Sequence, residues 1–230
     1  MHSSNETDAV PDARLTAPLA VTASGEIRVA FLISPGAEVV DYAGPYGVFE
    51  YVFLGKDKEM RRPFKLYTVA ASKEPVVTSG GMTVLPNCTF ADAPGPNIVV
   101  IPAMLMDKLA PAAYDWLRSV HKDTDVTMSV CNGSFILAEA GLLDGKTAAC
   151  HHGAYGALSN KYPKVTVIRG KRYVEDGKIA TSGGLTSGID LALRVVERYF
   201  GRHEAKQAAN RLEYQGTGWM YPNSNAEFAK

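Results

Sequence analysis

Residues 126–141 read VTMSVCNGSFILAEAG, and the architecture is decided in this stretch. Val126 to Val130 is an apolar strand, Phe135 to Ala140 is a helical run, and Gly141 stops it. A strand that runs into a helix through one cysteine puts that side chain on a sharp turn at the carboxyl edge of a sheet. The sulfur of Cys131 then lies near the amides that open the helix. Gly133 fits this geometry, because the turn leaves little room for a side chain two positions after a nucleophile. A helix N-terminus carries about half a positive charge and favours the thiolate, so Cys131 is expected to titrate below the ordinary ~8.5 of a cysteine. An inert buried thiol is the other fate of a free cysteine. Strand, Cys, polar residue, Gly and helix arriving together favour the nucleophile.

Working outward, strands and helices alternate. Ile27 to Ile33 (IRVAFLI) is an apolar run closed by Ser34-Pro35-Gly36 and suits a strand buried on both faces. Asp41 to Leu54 follows as a helix with Gly44-Pro45 near its start. Phe64 to Ala71 is the next strand, Val76 to Leu85 a hairpin around Ser79-Gly80-Gly81, and Ile98 to Ile101 a short buried strand. Pro111 opens a helix whose apolar face is Ala113, Trp116, Leu117 and Val120. Tyr173 to Thr181 holds Asp176-Gly177, a two-residue hairpin signal. Ser187 with Asp190 resembles a capping box, and the helix after it carries Ile189, Leu193, Val196 and Phe200 before Gly201. This alternation predicts an α/β fold, a mostly parallel sheet with helices on both faces. Residues 27–214 form one domain, preceded by a flexible extension (1–26) and followed by a tail (215–230).

Composition narrows the function. Lys+Arg and Asp+Glu number 24 each, a formal net charge of zero. A phosphate-binding surface needs a clustered basic surplus, so nucleic acid is not an expected partner. No window reaches the ~18–20 apolar residues of a membrane span, and no export signal is visible in residues 1–26. Cys88, Cys131 and Cys150 are an odd set in a chain too large to need disulfides, which points to reduced thiols and a cytoplasmic location.

Asp41, in VVDYAGP, follows the first strand. In a doubly wound sheet the first and central strands end on the same edge, so this carboxyl can approach Cys131 and exchange a proton with it. Taken alone, an Asp opening a helix also serves as an N-cap. Glu38 is a nearby rival, read as a solvated loop charge. His151 and His152 stand at the start of another helix, where a neutral capping histidine competes with a pocket role for His151. Cys150 beside them lacks ligand spacing, so no metal is expected. Ser79-Gly80-Gly81 and Ser182-Gly183-Gly184 read as turns, the second letting the following helix pack close to the elbow. His203-Glu204 diverge on a helix and cannot both serve one site, which disfavours an amidotransferase triad.

Asp41 with Gly44-Pro45, SVCNGS at Ser129 to Ser134, LAEAGLLDGKTA from Leu137 to Ala148, and TSGGLTSGIDLAL from Thr181 to Leu193 together resemble the ThiJ/PfpI superfamily. The likeness is greatest to the branch of isocyanide hydratases and of the amidase-like domains of AraC-type regulators. It spans roughly residues 27–214. The resemblance implies a flavodoxin-like three-layer sandwich and a homodimer, to which the helix Ile189 to Phe200 could contribute. It makes Cys131 the nucleophile and Asp41 its acidic partner, with no cofactor. The implied reaction adds water to an isocyanide through a Cys131 thioimidate, giving an N-substituted formamide. Asn132 and Gly133 follow the nucleophile and border the small-molecule substrate. Pro102-Ala103-Met104 replaces the usual Pro-Gly-Gly, so Ala103 and Met104 are expected to reshape the pocket. Asn132 stands where peptidase-like members carry His, which disfavours peptidase chemistry. The alternative is a ligand-sensing or redox-sensing domain without turnover.

Overall fold

The structure, a computed structural model, describes residues 17–21, 25–55 and 60–229. Most of the expected N-terminal extension therefore lies outside the described residues. The central sheet contains seven strands: β1 (Ile27–Leu32), β2 (Phe64–Ala70), β5 (Cys88–Thr89), β6 (Ile98–Ile101), β7 (Val126–Ser129), β10 (Tyr173–Asp176) and β11 (Ile179–Ser182). Their spatial order is β10-β11-β7-β6-β1-β2-β5, and only the β10–β11 edge pair is antiparallel within it. Two small ladders stand apart: β3 (Val76–Val77) with β4 (Thr83–Val84), and β8 (Thr147–Ala148) with β9 (Thr166–Val167).

Alternation along β1 explains the three layers. Val29 and Phe31 point into one apolar cluster with Val48 and Phe49 of α1 (Val39–Glu50), Leu191 and Val195 of α5 (Ser187–Phe200), and Ala205 and Ala208 of α6 (Arg202–Arg211). Ala30 and Leu32 point the other way, to Trp116 and Leu117 of α2 (Pro111–Val120), Ile136 and Leu137 of α3 (Gly133–Glu139), and Leu158 of α4 (Tyr155–Lys161). A strand covered on both faces must be apolar throughout, which is why IRVAFLI carries a single exposed residue, Arg28. Helix α1, after β1, covers one face, and α2, after β6, covers the other. The adjacent ends of β1 and β6 are therefore the topological switch point, where open α/β sheets form their crevice.

Several local expectations are corrected. Helix α1 starts at Val39, so Pro45 lies in its second turn and Asp41 is its third residue, with Glu38 at the N-cap position. The capping box does not form: Thr186 is the N-cap of α5 and makes no side-chain cap bond, while Asp190 pairs with Arg172. The apolar stripe of α5 packs mostly inside the domain, with Leu193 and Val196 fully buried, Ile189 against Gly44, and Ile189 and Phe200 half-buried. From Gln215 the chain turns back on the domain. Trp219 is buried, and its carbonyl accepts from the Tyr173 hydroxyl at 2.8 Å. Helix α6, which carries His203 and Glu204, packs on α5 through Ala205, Ala208 and Ala209. Among the described residues no helix is long and apolar enough to cross a membrane.

Candidate active site

Cys131 sits between β7 and α3 with φ of +57°, a left-handed conformation unusual for a residue with a side chain. The surrounding backbone over-determines it. Val130 N–H donates to the Ile101 carbonyl at 3.0 Å, Cys131 N–H to the Gly183 carbonyl at 2.9 Å, and Gly133 N–H to the Val130 carbonyl at 2.9 Å. Glycine at 133 is obligatory, since a Cβ there would lie 2.2 Å from the Ile101 carbonyl oxygen. Gly188, in the first turn of α5, lets that helix close on Val130, where a Cβ would meet both methyls at 2.8 Å. That close approach belongs to Gly188, whereas Gly183 supplies its carbonyl to Cys131 and Gly184 accommodates the His151 ring.

Asp41 reaches the same edge from α1. It is fully buried, its Oδ2 accepts from the Ala103 N–H at 3.0 Å, and its buried Oδ1 has no hydrogen-bond partner among the described residues. The Ala103 carbonyl in turn accepts from the Glu38 N–H at 2.8 Å. The segment after β6 is thus clamped against the opening of α1. The carboxylate makes its bond to the side of the helix entry and caps nothing. Glu38, expected to be a solvated charge, accepts from the Ser79 hydroxyl at 3.1 Å.

Electrostatics overturn the expected thiolate. Burial pushes the Cys131 thiol up to about 11, and the Asp41 charge adds to the rise; amide donors from Leu185 and Asn132 pull the other way without prevailing. Burial also pushes Asp41 up to about 7, against the opposing hydrogen bond from Ala103 and with a further rise from Glu38. With the Cys131 residue only 6% exposed, desolvation outweighs the amide dipoles at the short helix α3. Near neutrality the pair holds the proton on sulfur while the carboxyl is poised to give or take one.

The DJ-1/PfpI family profile matches residues 27–198, a span that contains both Asp41 and Cys131. The chain belongs to the DJ-1/PfpI family. An isonitrile hydratase of Pseudomonas putida is 30% identical over 195 residues, covering 82% of this chain and 78% of that one. The transcriptional regulator CdhR of Pseudomonas aeruginosa is 29% identical over 151 residues, which is 65% of this chain and 45% of the regulator. The chain therefore spans less than half of that regulator. A ThiJ/PfpI family protein from Pseudomonas syringae superposes with a TM-score of 0.73 at 25% identity, covering 92% of this chain and 84% of the other. Drosophila melanogaster DJ-1beta superposes at 0.69 with 21% identity, over 83% of this chain and all of the other, a likeness of fold.

In this DJ-1/PfpI domain the other predicted residues divide. Ala103 binds Asp41 through its backbone, and Met104 packs half-buried between the two apolar clusters. Asn132 gives its amide to the sulfur and holds a buried Oδ1 without a partner. His151 lies against the loop that contacts Cys131: a Cβ at Gly184 would sit 2.5 Å from its Cδ2. Its Nδ1 accepts from the Gly153 N–H at 3.1 Å, and its ring packs on His152 with centroids 4.3 Å apart. The residue missed by sequence reasoning is Leu185, whose amide donates to the sulfur and whose φ is +46°. Its contribution comes from the backbone, so residue identity carries no signal for it.

Proposed function

We propose that the chain hydrates a small isocyanide to its N-substituted formamide, with Cys131 as nucleophile and Asp41 as the proton carrier. The observation that carries this reading is the buried pair: a thiol held protonated, beside a carboxyl pushed up to about 7 that keeps one oxygen unpaired. The chemistry needs one group that accepts and returns a proton, and a carboxyl with a value near neutrality does both.

The reaction R–NC + H2O → R–NH–CHO follows in two stages. As sulfur bonds to the terminal carbon of R–NC, ionised Asp41 takes the thiol proton and delivers it to that carbon, leaving the thioimidate R–N=CH–S–Cys131. The amides of Leu185 and Asn132 stabilise negative charge developing on sulfur. Asp41, ionised again, then takes a proton from water as its oxygen adds to the same carbon. Asp41 passes that proton to the nitrogen, the C–S bond breaks as the carbonyl forms, and the remaining hydroxyl proton returns to sulfur as the formamide leaves. The unpaired Oδ1 of Asn132 is available to accept the N–H formed on nitrogen.

Likeness to the hydratase over most of both chains supports this reading. Likeness to part of CdhR supports the alternative, a ligand-sensing domain. Incubation of the purified protein with an alkyl or aryl isocyanide separates them. Formamide production that is lost in Cys131→Ala supports the hydratase. Saturable binding without product supports the sensor.

A further inference from the structure

The turn from β11 to α5, residues 183–186, touches Cys131 twice. The Gly183 carbonyl accepts the Cys131 amide at 2.9 Å, and the Leu185 amide donates to the sulfur. Leu185 holds that amide in place in a left-handed conformation, φ +46°, that is strained for a residue with a side chain. Its own side chain is 39% exposed and anchors nothing deeply. Something else must over-determine the turn.

The far side of the turn is gripped by Arg172. Its carbonyl accepts from the Gly183 N–H at 2.9 Å, one Nη2 hydrogen reaches the Thr186 hydroxyl at 3.4 Å, and Nε donates to Asp190 Oδ2 at 2.7 Å. Nη2 also lies 2.5 Å from the same carboxylate oxygen. Asp190, in the first turn of α5, is 1% exposed and is locked from the other side. Its Oδ1 accepts from the Tyr214 hydroxyl at 3.1 Å, and the Trp219 amide also donates to it. The Arg172 amide donates to the Pro222 carbonyl at 2.7 Å, tying the guanidinium's own backbone to the C-terminal segment. A planar fork suits this role, since it can hold a carboxylate and reach a hydroxyl at once.

We propose that Arg172 and Asp190 are positioning residues for the Cys131 site: together they fix the turn that presents the Leu185 amide to the sulfur. The proposal rests on Cys131 being the working group of the site. Without the pair, Leu185 relaxes out of its left-handed conformation and its N–H leaves the sulfur, which then ionises less readily.

The test is the pH–rate profile of Cys131 alkylation by iodoacetamide, resolved by peptide mass spectrometry, in wild type, Asp190→Asn, Arg172→Gln and Arg172→Lys. Loss of one charge-stabilising donor is expected to move the profile about one pH unit upward in Asp190→Asn and Arg172→Gln, a rate about tenfold lower at a given pH below the midpoint. Arg172→Lys keeps a charge beside Asp190 but loses the reach to Thr186, so it folds and falls between wild type and Arg172→Gln. A purely structural pair would change thermal melting and leave the profile in place. A change smaller than about threefold in any glutamine or asparagine variant that still melts cooperatively overturns the proposal. Should both of those variants fail to fold, an unmoved profile in Arg172→Lys overturns it. Isocyanide turnover is measured in parallel. No turnover in wild type with a moved profile removes the hydratase and keeps the positioning pair; turnover with an unmoved profile does the reverse.

Discussion

Replacing Asp41 with Asn tests the buried pair through stability as well as activity. Asp41 is raised from 3.8 to about 7 in the folded protein, and burial is the main cause. The folded form therefore keeps its proton while the unfolded chain ionises, so the carboxyl costs the fold stability as pH rises from about 4 to about 7, and the cost is constant above that. A shift of about three units corresponds to roughly 4 kcal/mol in full, of which about 3 kcal/mol develops between about pH 4.5 and about pH 8. Asn cannot ionise and its amide oxygen still accepts the Ala103 N–H. Urea unfolding of wild type and Asp41→Asn at the two pH values should show the difference between them moving by about 3 kcal/mol in the variant's favour at the higher pH. Isocyanide hydration should fall by about 10²–10⁴ in the same variant, the range of a lost acid–base group. Parallel responses of the two proteins to pH, within about 1 kcal/mol, would mean that Asp41 titrates like an ordinary carboxylate and would refute the reasoning.

The other predictions share the same geometry. Cys131→Ala abolishes formamide production while circular dichroism keeps the folded signature; residual turnover assigns the chemistry elsewhere. Because burial pushes the thiol up to about 11, Cys131 alkylation should climb tenfold per pH unit through the alkaline range, and a plateau already reached near neutrality contradicts the protonated resting state. Gly133→Ala forces a Cβ onto the Ile101 carbonyl at 2.2 Å, so a loss of about 1–3 kcal/mol or more in denaturant unfolding is expected, together with slower Cys131 chemistry. On β10, Glu175 binds both Arg194 at 3.0 Å and Arg198 at 3.1 Å with all three side chains largely buried. Glu175→Ala therefore takes a buried carboxylate from both guanidinium groups, leaving Arg194 with Glu197 at 3.1 Å, and unfolding should register about 3–5 kcal/mol of destabilisation.

Legibility differed by the range of the cause. The runs Ile27 to Ile33, Ile98 to Ile101 and Val126 to Val130 became strands β1, β6 and β7 to within a residue or two, because a strand buried on both faces has little choice but an unbroken apolar run. Gly201, expected to end α5, does so with φ of +85°. The capping box at Ser187 failed because Asp190 has a stronger partner in Arg172, eighteen residues upstream. The extent and packing face of α6 around His203-Glu204 were not legible because its contact face is three alanines among charged residues, a weak apolar signal. The segment after Gln215 has no period, yet Trp219 is buried through contacts with Tyr173 and Arg202 from distant elements.

From residues alone came the alternation of strands and helices, the elbow at Cys131 with its obligatory Gly133, and the placing of Asp41 on the same sheet edge, since each depends on neighbours in the chain and on the handedness of a doubly wound sheet. Tertiary structure decided the protonation of that site. The helix opening at Cys131 favours a thiolate in isolation, but packing α1, the segment after β6 and the turn before α5 around the sulfur removes the water that a charge requires. Desolvation sums over every element that closes on an atom, and no stretch of sequence carries that sum.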